Sequence, residues 1–379
     1  MIVLKDKINC CGCSACAQRC PQQCITMKKD ERGFLYPEID TESCIRCGLC
    51  EVVCPCLNQS EAKEPISIEA AINPDYSVRL QSSSGGVFSM LAESVLNNGG
   101  VVFGARFNKD WEVVIDFTES LEGLVAFRGS KYLQAKVEDS FLKAESFLQA
   151  GRKVLFSGTP CQISGLRLFL QKEYENLLKV AIACHSVPSP LVWKEYLDGL
   201  KLNDISEVQF RDKRISWEQY GLRIGYDKGK EFFQQYGINP FMQLFLHGII
   251  TRPSCFNCPA KEGKSGADII VGDCWGVSHI IPDYPNDHQG TSFVICQTKK
   301  GSEAVGKAEV KGLHLQYEQV VKHNGGLTTR SSIPAERVSF WEEFVASDNK
   351  SQVIDSYSKL YLPSFKDKIK KYLKHIVKK

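Results

Sequence analysis

The 17 cysteines of this 379-residue chain include two runs with the same spacing. Each run reads Cys-x2-Cys-x2-Cys-x3-Cys and is followed directly by a proline. The first run consists of Cys10, Cys13, Cys16 and Cys20, and the second consists of Cys44, Cys47, Cys50 and Cys54. This spacing lets one loop place three thiolates around the corner of a [4Fe-4S] cube, while the proline redirects the chain.

The duplicated runs predict two [4Fe-4S] clusters that exchange their fourth ligands. In two-cluster ferredoxins the fourth cysteine of each run ligates the other cluster. Cluster one is therefore assigned to Cys10, Cys13, Cys16 and Cys54. Cluster two is assigned to Cys44, Cys47, Cys50 and Cys20. A pair of zinc sites is the alternative, but zinc modules rarely combine three cysteines at this spacing with a repeated Cys-Pro.

The remaining cysteines fall into two groups. Those interpreted as packing or core residues are Cys11, Cys24, Cys56, Cys274 and Cys296. Those available as ligands are Cys161 and Cys184, which follow predicted strands, and the Cys-x2-Cys pair Cys255 and Cys258. Four thiols are the complement of a third cubane. On spacing alone, a structural zinc site stays open as the alternative.

Two polar turns could hold a phosphate-bearing ligand, because we expect such turns to lie between a strand and the following helix. The turn at 81–88, QSSSGGVF, contains Ser83, Ser84, Gly85 and Gly86. Its free N–H groups at a helix start could cradle a phosphate, and an ordinary serine N-cap is the alternative. The turn at 128–135, RGSKYLQA, contains Gly129, Ser130, Lys131 and Tyr132. Lys131 is a candidate phosphate or flavin partner, with a solvated surface charge as the alternative.

A third turn at 158–167, GTPCQISGLR, contains Thr159 and places Cys161 just beyond a strand. That position suits a ligand or a reactive group, whereas a buried cysteine acting as a small hydrophobe is the alternative. His185, next to Cys184, is the one candidate general acid. A structural role for this histidine is the favoured interpretation.

Hydrophobic runs alternate between strand and helix patterns from residue 69 onward. Strands are predicted at 100–107, 152–158, 178–184, 267–273 and 291–298, helices at 87–98, 137–150, 162–173 and 190–200, and a hairpin at 222–236. This alternation predicts an α/β body with a mixed sheet and helices on its faces. The N-terminal segment resembles a bacterial two-cluster ferredoxin, and its internal duplication implies a small α+β domain.

These patterns divide the chain into four segments. A ferredoxin-like domain is predicted over 1–58, a polar linker over 59–68, the flavin- and iron–sulfur-binding body over 69–330, and a C-terminal extension over 331–379. In the last 15 residues, FKDKIKKYLKHIVKK (365–379), apolar side chains share one helical face and lysines surround it. A helix packed on the body is favoured. The alternative is an interfacial helix attracted to anionic lipid at the inner face of a membrane.

The composition favours a cytoplasmic, reduced metalloprotein. The longest apolar runs, such as LLKVAIAC at 177–184, are far too short to span a membrane, and the N-terminus lacks the apolar stretch of a signal peptide. Thiols are therefore expected to stay reduced, which favours metal ligation over disulfides. The formal charge of +3 gives no argument for a nucleic-acid partner.

Five motifs in order resemble those of the beta subunit of deazaflavin-dependent (coenzyme F420) hydrogenases and dehydrogenases. They are SSSGGVF, GSKY, GTPCQISGLR, RPSCFNC and ADIIVGDCWG…GTSFVI, and they cover residues 70–300. The resemblance implies that the body binds FAD and a third [4Fe-4S] cluster. The implied cluster ligands are Cys161, Cys184, Cys255 and Cys258. The implied flavin-site residues are Ser83, Ser84, Gly85, Gly86, Gly129, Ser130, Lys131, Tyr132 and Thr159, with Asp273 and Trp275 as further candidates for the same crevice.

The implied function is an iron–sulfur flavoprotein oxidoreductase. Cubanes move one electron at a time, whereas FAD exchanges one or two, so three clusters form a wire between a one-electron carrier such as ferredoxin and the flavin. The flavin would then act on a small organic substrate. Relatives in the family imply a deazaflavin or an intermediate of surface-polysaccharide synthesis. The alternative is a non-catalytic subunit that relays electrons to a catalytic partner.

Overall fold

The computed structural model describes residue 2 and residues 7–284, 287–328 and 332–362. It confirms the predicted fold class, a mixed α/β body with a small α+β segment at its N-terminus. The strands are β1 Ile25–Lys29, β2 Leu35–Ile39, β3 Ser67–Ala71, β4 Val101–Phe107, β5 Val113–Thr118, β6 Val154–Gly158, β7 Leu177–Ile182, β8 Glu207–Asp212, β9 Gly221–Tyr226, β10 Lys230–Gln235, β11 Ile269–Asp273, β12 Ser292–Cys296 and β13 Gly312–His314.

The α-helices are short, as expected for segments that connect the strands of one sheet. They are α1 Ala15–Arg19, α2 Leu49–Val52, α3 Tyr76–Gln81, α4 Val87–Leu96, α5 Leu121–Leu124, α6 Ser140–Gln149, α7 Pro160–Leu170, α8 Pro190–Leu200, α9 Pro240–Leu246, α10 Val277–Ile280, α11 Lys299–Lys307, α12 Tyr317–His323, α13 Arg337–Ala346 and α14 Lys350–Ser358. Among the described residues no helix has the length and apolarity needed to cross a bilayer.

The body is built on one eight-stranded sheet with the order β13-β3-β12-β11-β7-β6-β4-β5. Its centre, β11-β7-β6-β4, is parallel, and the strands added at either side are antiparallel. The central strands are buried along most of their length, as expected for parallel strands covered on both faces. The predicted hairpin forms β9 and β10, which pair with β8 in a separate three-stranded sheet.

Every strand and helix predicted for the body is present within a few residues of its expected bounds. Four strands are additional: β3, β5, β8 and β13. Strand β3 begins at Ser67, so the last two residues of the predicted linker belong to the sheet. Its sequence, SIEAA, is short and only partly apolar. Its strand conformation is therefore set by pairing with β12 and β13 rather than by local pattern.

Local sequence explains why the two longest helices begin where they do. Thr159 and Gln162 form a capping box at the start of α7, and Pro160 occupies its first position. Ser189 caps α8 by accepting hydrogen bonds from the N–H groups of Leu191 and Val192. Helix α7 thus starts directly after β6, and Cys161 lies in its first turn.

The N-terminal segment shares its core with the body. Cys10, Cys13, Phe34 and Tyr36 belong to the same buried cluster as the body residue Phe141 and its neighbours. The segment packs against α7 so closely that a Cβ added at Gly165 would lie 3.0 Å from the Cys13 sulfur. A second small buried cluster forms within the segment around Cys16, Cys24 and Cys50.

The C-terminal extension is part of the same structure as far as it is described. Helix α14 contacts α8 and α9, while α13 contributes the buried aromatic residues Phe340, Trp341 and Phe344 to the main core. The Trp341 indole N–H donates to the carbonyl of Ile249 at 3.1 Å. The predicted amphipathic tail at 365–379 lies outside the described residues.

Candidate flavin and iron–sulfur site

A cavity of about 270 Å³ lies beyond the carboxyl ends of the central strands. It is lined by all the predicted flavin-site residues except Gly85, and by two of the predicted body-cluster cysteines. The predicted residues around it are Ser83, Ser84, Gly86, Gly129, Ser130, Lys131, Tyr132, Thr159, Cys161 and Cys184. The sheet therefore brings together in one cavity these predicted residues from positions 83 to 184.

The first polar turn follows the short helix α3 rather than a strand, which differs from the expected arrangement. It ends at Gly86, whose φ of 80° starts α4 without any side-chain cap. The N–H groups at this end of α4 are therefore not satisfied by a capping side chain, which suits an anion or a phosphate. A Cβ at Gly86 would also lie only 3.0 Å from the Asn73 side chain.

Hydrogen bonds of the other residues in this turn hold it against the sheet and the second turn. Ser83 Oγ lies 2.7 Å from Ser130 Oγ and also accepts from the Ser130 backbone N–H. Ser84 Oγ donates to the carbonyl of Thr291 at 2.7 Å. Gly85 packs onto β3 and β12, where a Cβ would lie 2.5 Å from the carbonyl oxygen of Ala71. Gly85 thus permits close packing of the turn, and the residues beside it face the cavity.

The second turn is held by Lys131, whose ammonium donates to the carbonyls of Ala126, Arg128 and Gly129 at 2.7–3.2 Å. These three acceptors match the three donors of an ammonium group. Burial lowers the pKa of Lys131 to about 7. The arrangement gives Lys131 a direct role in shaping the backbone of the turn.

Four body thiols predicted to hold a cluster are neighbours in the structure. Burial raises the pKa of Cys184 well above its usual range, and the nearby thiols of Cys255, Cys161 and Cys258 add to that effect. Burial likewise raises the pKa of Cys258 to about 11, with Cys161 contributing. Packing four thiols together fits a centre that binds them as thiolates, because a bound metal supplies the positive charge that the deprotonated group needs.

The cysteines of the N-terminal segment divide into an inner group, on the side of the body, and an outer group that includes the exposed Cys47. In the inner group, Cys16 has its pKa raised by burial and by the nearby thiols of Cys13 and Cys10, and Cys54 lies near Cys13. The outer group lines a second, smaller cavity formed by Cys20, Cys24, Cys44, Cys47 and Cys50. Among the described residues, no three His, Cys, Asp or Glu side chains converge closely enough to hold a single metal ion.

Three cysteines interpreted as packing residues lie directly beside these groups. The Cys11 thiol interacts with those of Cys13, Cys161 and Cys56, and so touches both the inner group and the body group. Cys24 Sγ lies 3.4 Å from Cys20 Sγ. The sequence signal for Cys11 was its place directly after a ligand, but its contact with Cys161 depends on tertiary packing. Cys274 and Cys296 are buried, as predicted.

A polar network beside the cavity joins two predicted residues, Tyr132 and Asp273, to two that the sequence did not predict, Arg211 and Trp217. Arg211, almost fully buried, donates to Asp273 Oδ2 at 3.0 Å and to the Tyr132 hydroxyl at 3.2 Å. Asp273 also accepts from the Trp217 indole N–H at 2.9 Å. Trp275 stacks on Trp217 with ring centroids 4.4 Å apart. Of the two further candidates, Asp273 lines the cavity, while Trp275 lies behind it, stacked on Trp217.

His185 lines the cavity beside Cys184 and packs edge-on against Phe245, with ring centroids 5.7 Å apart. Burial and the nearby charge of Lys261 lower its pKa. The neutral imidazole is therefore favoured near neutral pH, and the ring has the surroundings of a packed aromatic residue.

Comparison with known proteins gives two matches to family models. Residues 151–321 match the C-terminal part of the "Coenzyme F420 hydrogenase/dehydrogenase, beta subunit" family, and residues 9–58 match the "4Fe-4S dicluster domain". Among curated proteins, the coenzyme F420-dependent sulfite reductase of Methanocaldococcus jannaschii is 27% identical over 82% of this chain and 48% of its own length.

Two further relatives extend the comparison. A protein of Methanosarcina mazei that is named as a subunit of the F(420)H(2) dehydrogenase is 23% identical over 53% of this chain and 61% of its own length. The chain thus spans about half the length of the curated relatives it matches. A chain of the F420-reducing [NiFe] hydrogenase complex from Methanosarcina barkeri superimposes with a TM-score of 0.48 and 16% identity, over 76% of this chain and 96% of that one.

Proposed function

We propose that this chain is an iron–sulfur flavoprotein oxidoreductase. The proposal starts from its matches to the coenzyme F420 hydrogenase/dehydrogenase beta-subunit family and, at the N-terminus, to the 4Fe-4S dicluster domain. The proposed cofactors are one FAD in the main cavity and three [4Fe-4S] clusters. The proposed ligands are Cys10, Cys13, Cys16 and Cys54 for cluster one, Cys20, Cys44, Cys47 and Cys50 for cluster two, and Cys161, Cys184, Cys255 and Cys258 for the body cluster.

The observation that carries this proposal is the shared cavity. Its wall combines the polar turns around Gly86 and Gly129 with the thiols of Cys161 and Cys184. A flavin bound there would lie beside the body cluster, so no intervening carrier would be needed. When bound, the clusters supply one-electron transfer and the flavin converts between one- and two-electron chemistry.

The residues around the cavity have separate tasks in this proposal. The uncapped N-terminus of α4 at Gly86 binds a phosphate group of FAD. The hydrogen bonds of Ser83 to Ser130 keep the first two turns together, so that the cavity is formed before the cofactor arrives. The aromatic and aliphatic wall, with Phe88, Phe127 and Ile115, excludes water from the flavin ring.

The proposed substrate is an organic hydride carrier of the deazaflavin type, because coenzyme F420 is named for both curated relatives. An intermediate of surface-polysaccharide synthesis is the second substrate to be tested. The alternative function, a relay subunit without its own substrate, is favoured by one observation: the relative from Methanosarcina mazei is named as a subunit. Stopped-flow mixing of the reduced protein with each substrate distinguishes the two functions. An oxidoreductase would be oxidised by its substrate, whereas a relay subunit would be oxidised by neither.

The metal proposal is tested by iron analysis of anaerobically purified protein. We expect about 12 iron atoms per chain, three clusters of four, and about eight in the Cys255→Ser variant. Cys296→Ala is the matched control, because Cys296 is buried but lies outside all three thiol groups. This control should retain all of its iron. One zinc per chain, or the same iron content in wild type and Cys255→Ser, would refute the third cluster.

The flavin proposal is tested with two glycines at opposite ends of α4. Gly86 has a φ of 80° and a crowded Cβ position, whereas Gly99 has a φ of 69° and no atom within 4 Å of its Cβ position. Both valine variants suffer the same backbone strain, but only Gly86→Val blocks the proposed phosphate site. We expect FAD to be lost from Gly86→Val and retained in Gly99→Val. Cluster-loaded wild type that contains and takes up no FAD would contradict the proposal.

A further inference from the structure

Arg252 is a charged side chain of the protein interior, with none of its surface exposed to solvent. Its guanidinium lies where the N-terminal segment meets the body. Nε donates to the carbonyl of Cys10 at 2.8 Å, one terminal nitrogen donates to Gln134 Oε1 at 2.8 Å, and the other donates to the carbonyl of Leu35 at 2.9 Å. The group also lies over the Tyr36 ring, 4.3 Å from its centroid.

All three hydrogen-bond acceptors of Arg252 are electrically neutral. No carboxylate in the described part of the chain forms an ion pair with it. Two other buried arginines do meet an acid, Arg79 with Asp287 and Arg211 with Asp273, whereas Arg337 donates hydrogen bonds to backbone carbonyls. A buried charge without a counter-charge costs several kcal/mol, so such charges are normally paired or bound to a group of opposite sign.

The position of Arg252 identifies what that opposite charge is. Its guanidinium binds the backbone of Cys10, a predicted cluster-one ligand, and its own carbonyl accepts from the N–H of Cys255, a predicted body-cluster ligand, at 3.0 Å. A Cβ at Gly12, between Cys10 and Cys13, would lie 3.0 Å from a terminal guanidinium nitrogen of Arg252. Arg252 therefore contacts the loops that carry both ligand groups, the first through its guanidinium and the second through its backbone.

We propose that Arg252 is the shared counter-cation of cluster one and the body cluster, and that its charge raises the reduction potential of both. The inference rests on the three-cluster function proposed above. An oxidised cubane with four thiolates carries a charge of about −2, and reduction adds one more negative charge. A fixed cation beside both clusters stabilises each reduced form more than each oxidised form. Arg252 thereby keeps electrons on the path between the N-terminal segment and the flavin cavity.

The test is an anaerobic redox titration followed by electron paramagnetic resonance, with iron analysis of every variant. Arg252→Met removes the charge at similar volume, and Arg252→Lys keeps it. We expect Arg252→Met to lower the potentials of cluster one and the body cluster by at least a tenfold change in the reduction equilibrium, about 59 mV for one electron. Cluster two, predicted at the outer group, should keep its potential and serves as the internal control. Arg252→Lys keeps the charge, so its reduction potentials for cluster one and the body cluster should stay close to those of wild type.

Arg19→Met is the matched control for loosened packing. Arg19 also joins the N-terminal segment to the body, but it does so through Glu145 at 3.4 Å and is partly exposed. Its loss should leave the potentials of cluster one and the body cluster unchanged. An equal potential shift in Arg19→Met and Arg252→Met would assign the effect to packing and overturn the proposal.

The remaining outcomes are also decisive. Arg252→Met that loads all its iron and keeps the wild-type potentials refutes the counter-cation role. If Arg252→Met fails to bind iron while Arg252→Lys binds the full amount, charge is the requirement and the proposal holds. Failure of both variants to load would show that the hydrogen-bonding fork, not the charge, is needed, and would refute it. Wild type with about eight irons would instead refute the three-cluster function itself.

Discussion

The two copies of the duplicated cysteine motif adopt the same backbone but face different surroundings. Gly12 and Arg46 occupy equivalent positions and both have positive φ, 69° and 55°, as do Ser14 and Gly48 two residues later, at 62° and 78°. The first copy lies against the body, with Cys11 and Cys13 buried. The second faces solvent, where Ile45 is 60% exposed. The same local motif therefore packs against the body in one copy and faces solvent in the other, depending on its position in the fold.

The difference is visible in the side chain at each equivalent position. Gly12 cannot carry a side chain, because a Cβ there would lie 2.4 Å from Gln134 Nε2 and 3.0 Å from Arg252. Its counterpart Arg46 is exposed. Likewise Cys11, at the interface, corresponds to the exposed Ile45. The inner copy is thus shaped for contact with the body, and we propose that the outer copy is where an external one-electron donor docks.

The largest expected effect is a loss of unfolding free energy when a methyl group is added at Gly12 in the inner copy. Gly12→Ala and Gly48→Ala both place a side chain at positive φ, which costs about 1–2 kcal/mol. Only Gly12→Ala also forces apart Gln134 and Arg252, which are buried and bonded to each other, and such overpacking adds about 1–3 kcal/mol. Anaerobic denaturant titration of the cluster-loaded variants measures the difference. Equal losses of unfolding free energy would contradict the close approach at Gly12.

The second largest effect is expected on the KM for a protein electron donor that docks at the outer copy. Ile45→Asp should raise the KM for a protein donor such as ferredoxin about tenfold, since loss of an interface anchor commonly costs more than about 1 kcal/mol. Reduction by dithionite should not change. Ile215→Asp is the control, because Ile215 is similarly exposed, 52% against 60%, but belongs to the body. A KM that rises equally in both variants would place the docking surface elsewhere.

A smaller effect is expected from the position that follows the first cysteine of each copy. Cys11→Ala removes a buried sulfur and should cost about 1 kcal/mol, whereas Ile45→Ala should stay within about 0.5 kcal/mol because its side chain is exposed. Both variants should retain the full iron content. Loss of iron from Cys11→Ala would make Cys11 a ligand and would overturn the assignment of Cys10, Cys13, Cys16 and Cys54.

The smallest effect is expected for Arg46→Gly, which gives the outer copy the residue of the inner one. Relief of positive φ favours the glycine, while the greater freedom of glycine in the unfolded chain opposes it, so the net change should be below about 1 kcal/mol. Thermal unfolding under anaerobic conditions provides the measurement. A large destabilisation would mean that Arg46 makes a contact on which the outer copy depends.

Sequence patterns predicted the body well where local signals were strong. The strands that became β4, β6, β7, β11 and β12 are continuous apolar runs, and α7 and α8 carry Thr or Ser caps followed by proline. Strands β3, β8 and β13 were missed, because their short, mixed sequences become strands only through pairing with neighbours, and β5 was missed although it begins with an apolar run. The first polar turn was expected directly after a strand, but the short helix α3 intervenes.

Candidate site residues were predictable where a motif had its own chemistry. Regular Cys-x2-Cys spacing marks a metal-binding loop, and Ser-Gly-rich turns mark anion sites. The network of Arg211, Asp273 and Trp217 and the buried Arg252 carried no such signal. An arginine in a sequence gives no indication of burial, because its exposure depends on which segments fold over it.

What the sequence by itself determined is local: the repeated cysteine loops, the strand and helix pattern of the body, and the family models that residues 9–58 and 151–321 match. What only the tertiary structure decided is proximity. It brought Cys11 to Cys161, collected the polar turns around one cavity, and buried Arg252 with no acid beside it in the described part of the chain. Spacing along the chain can define a ligand loop, but the distance between two loops is set by how the sheet and helices pack between them.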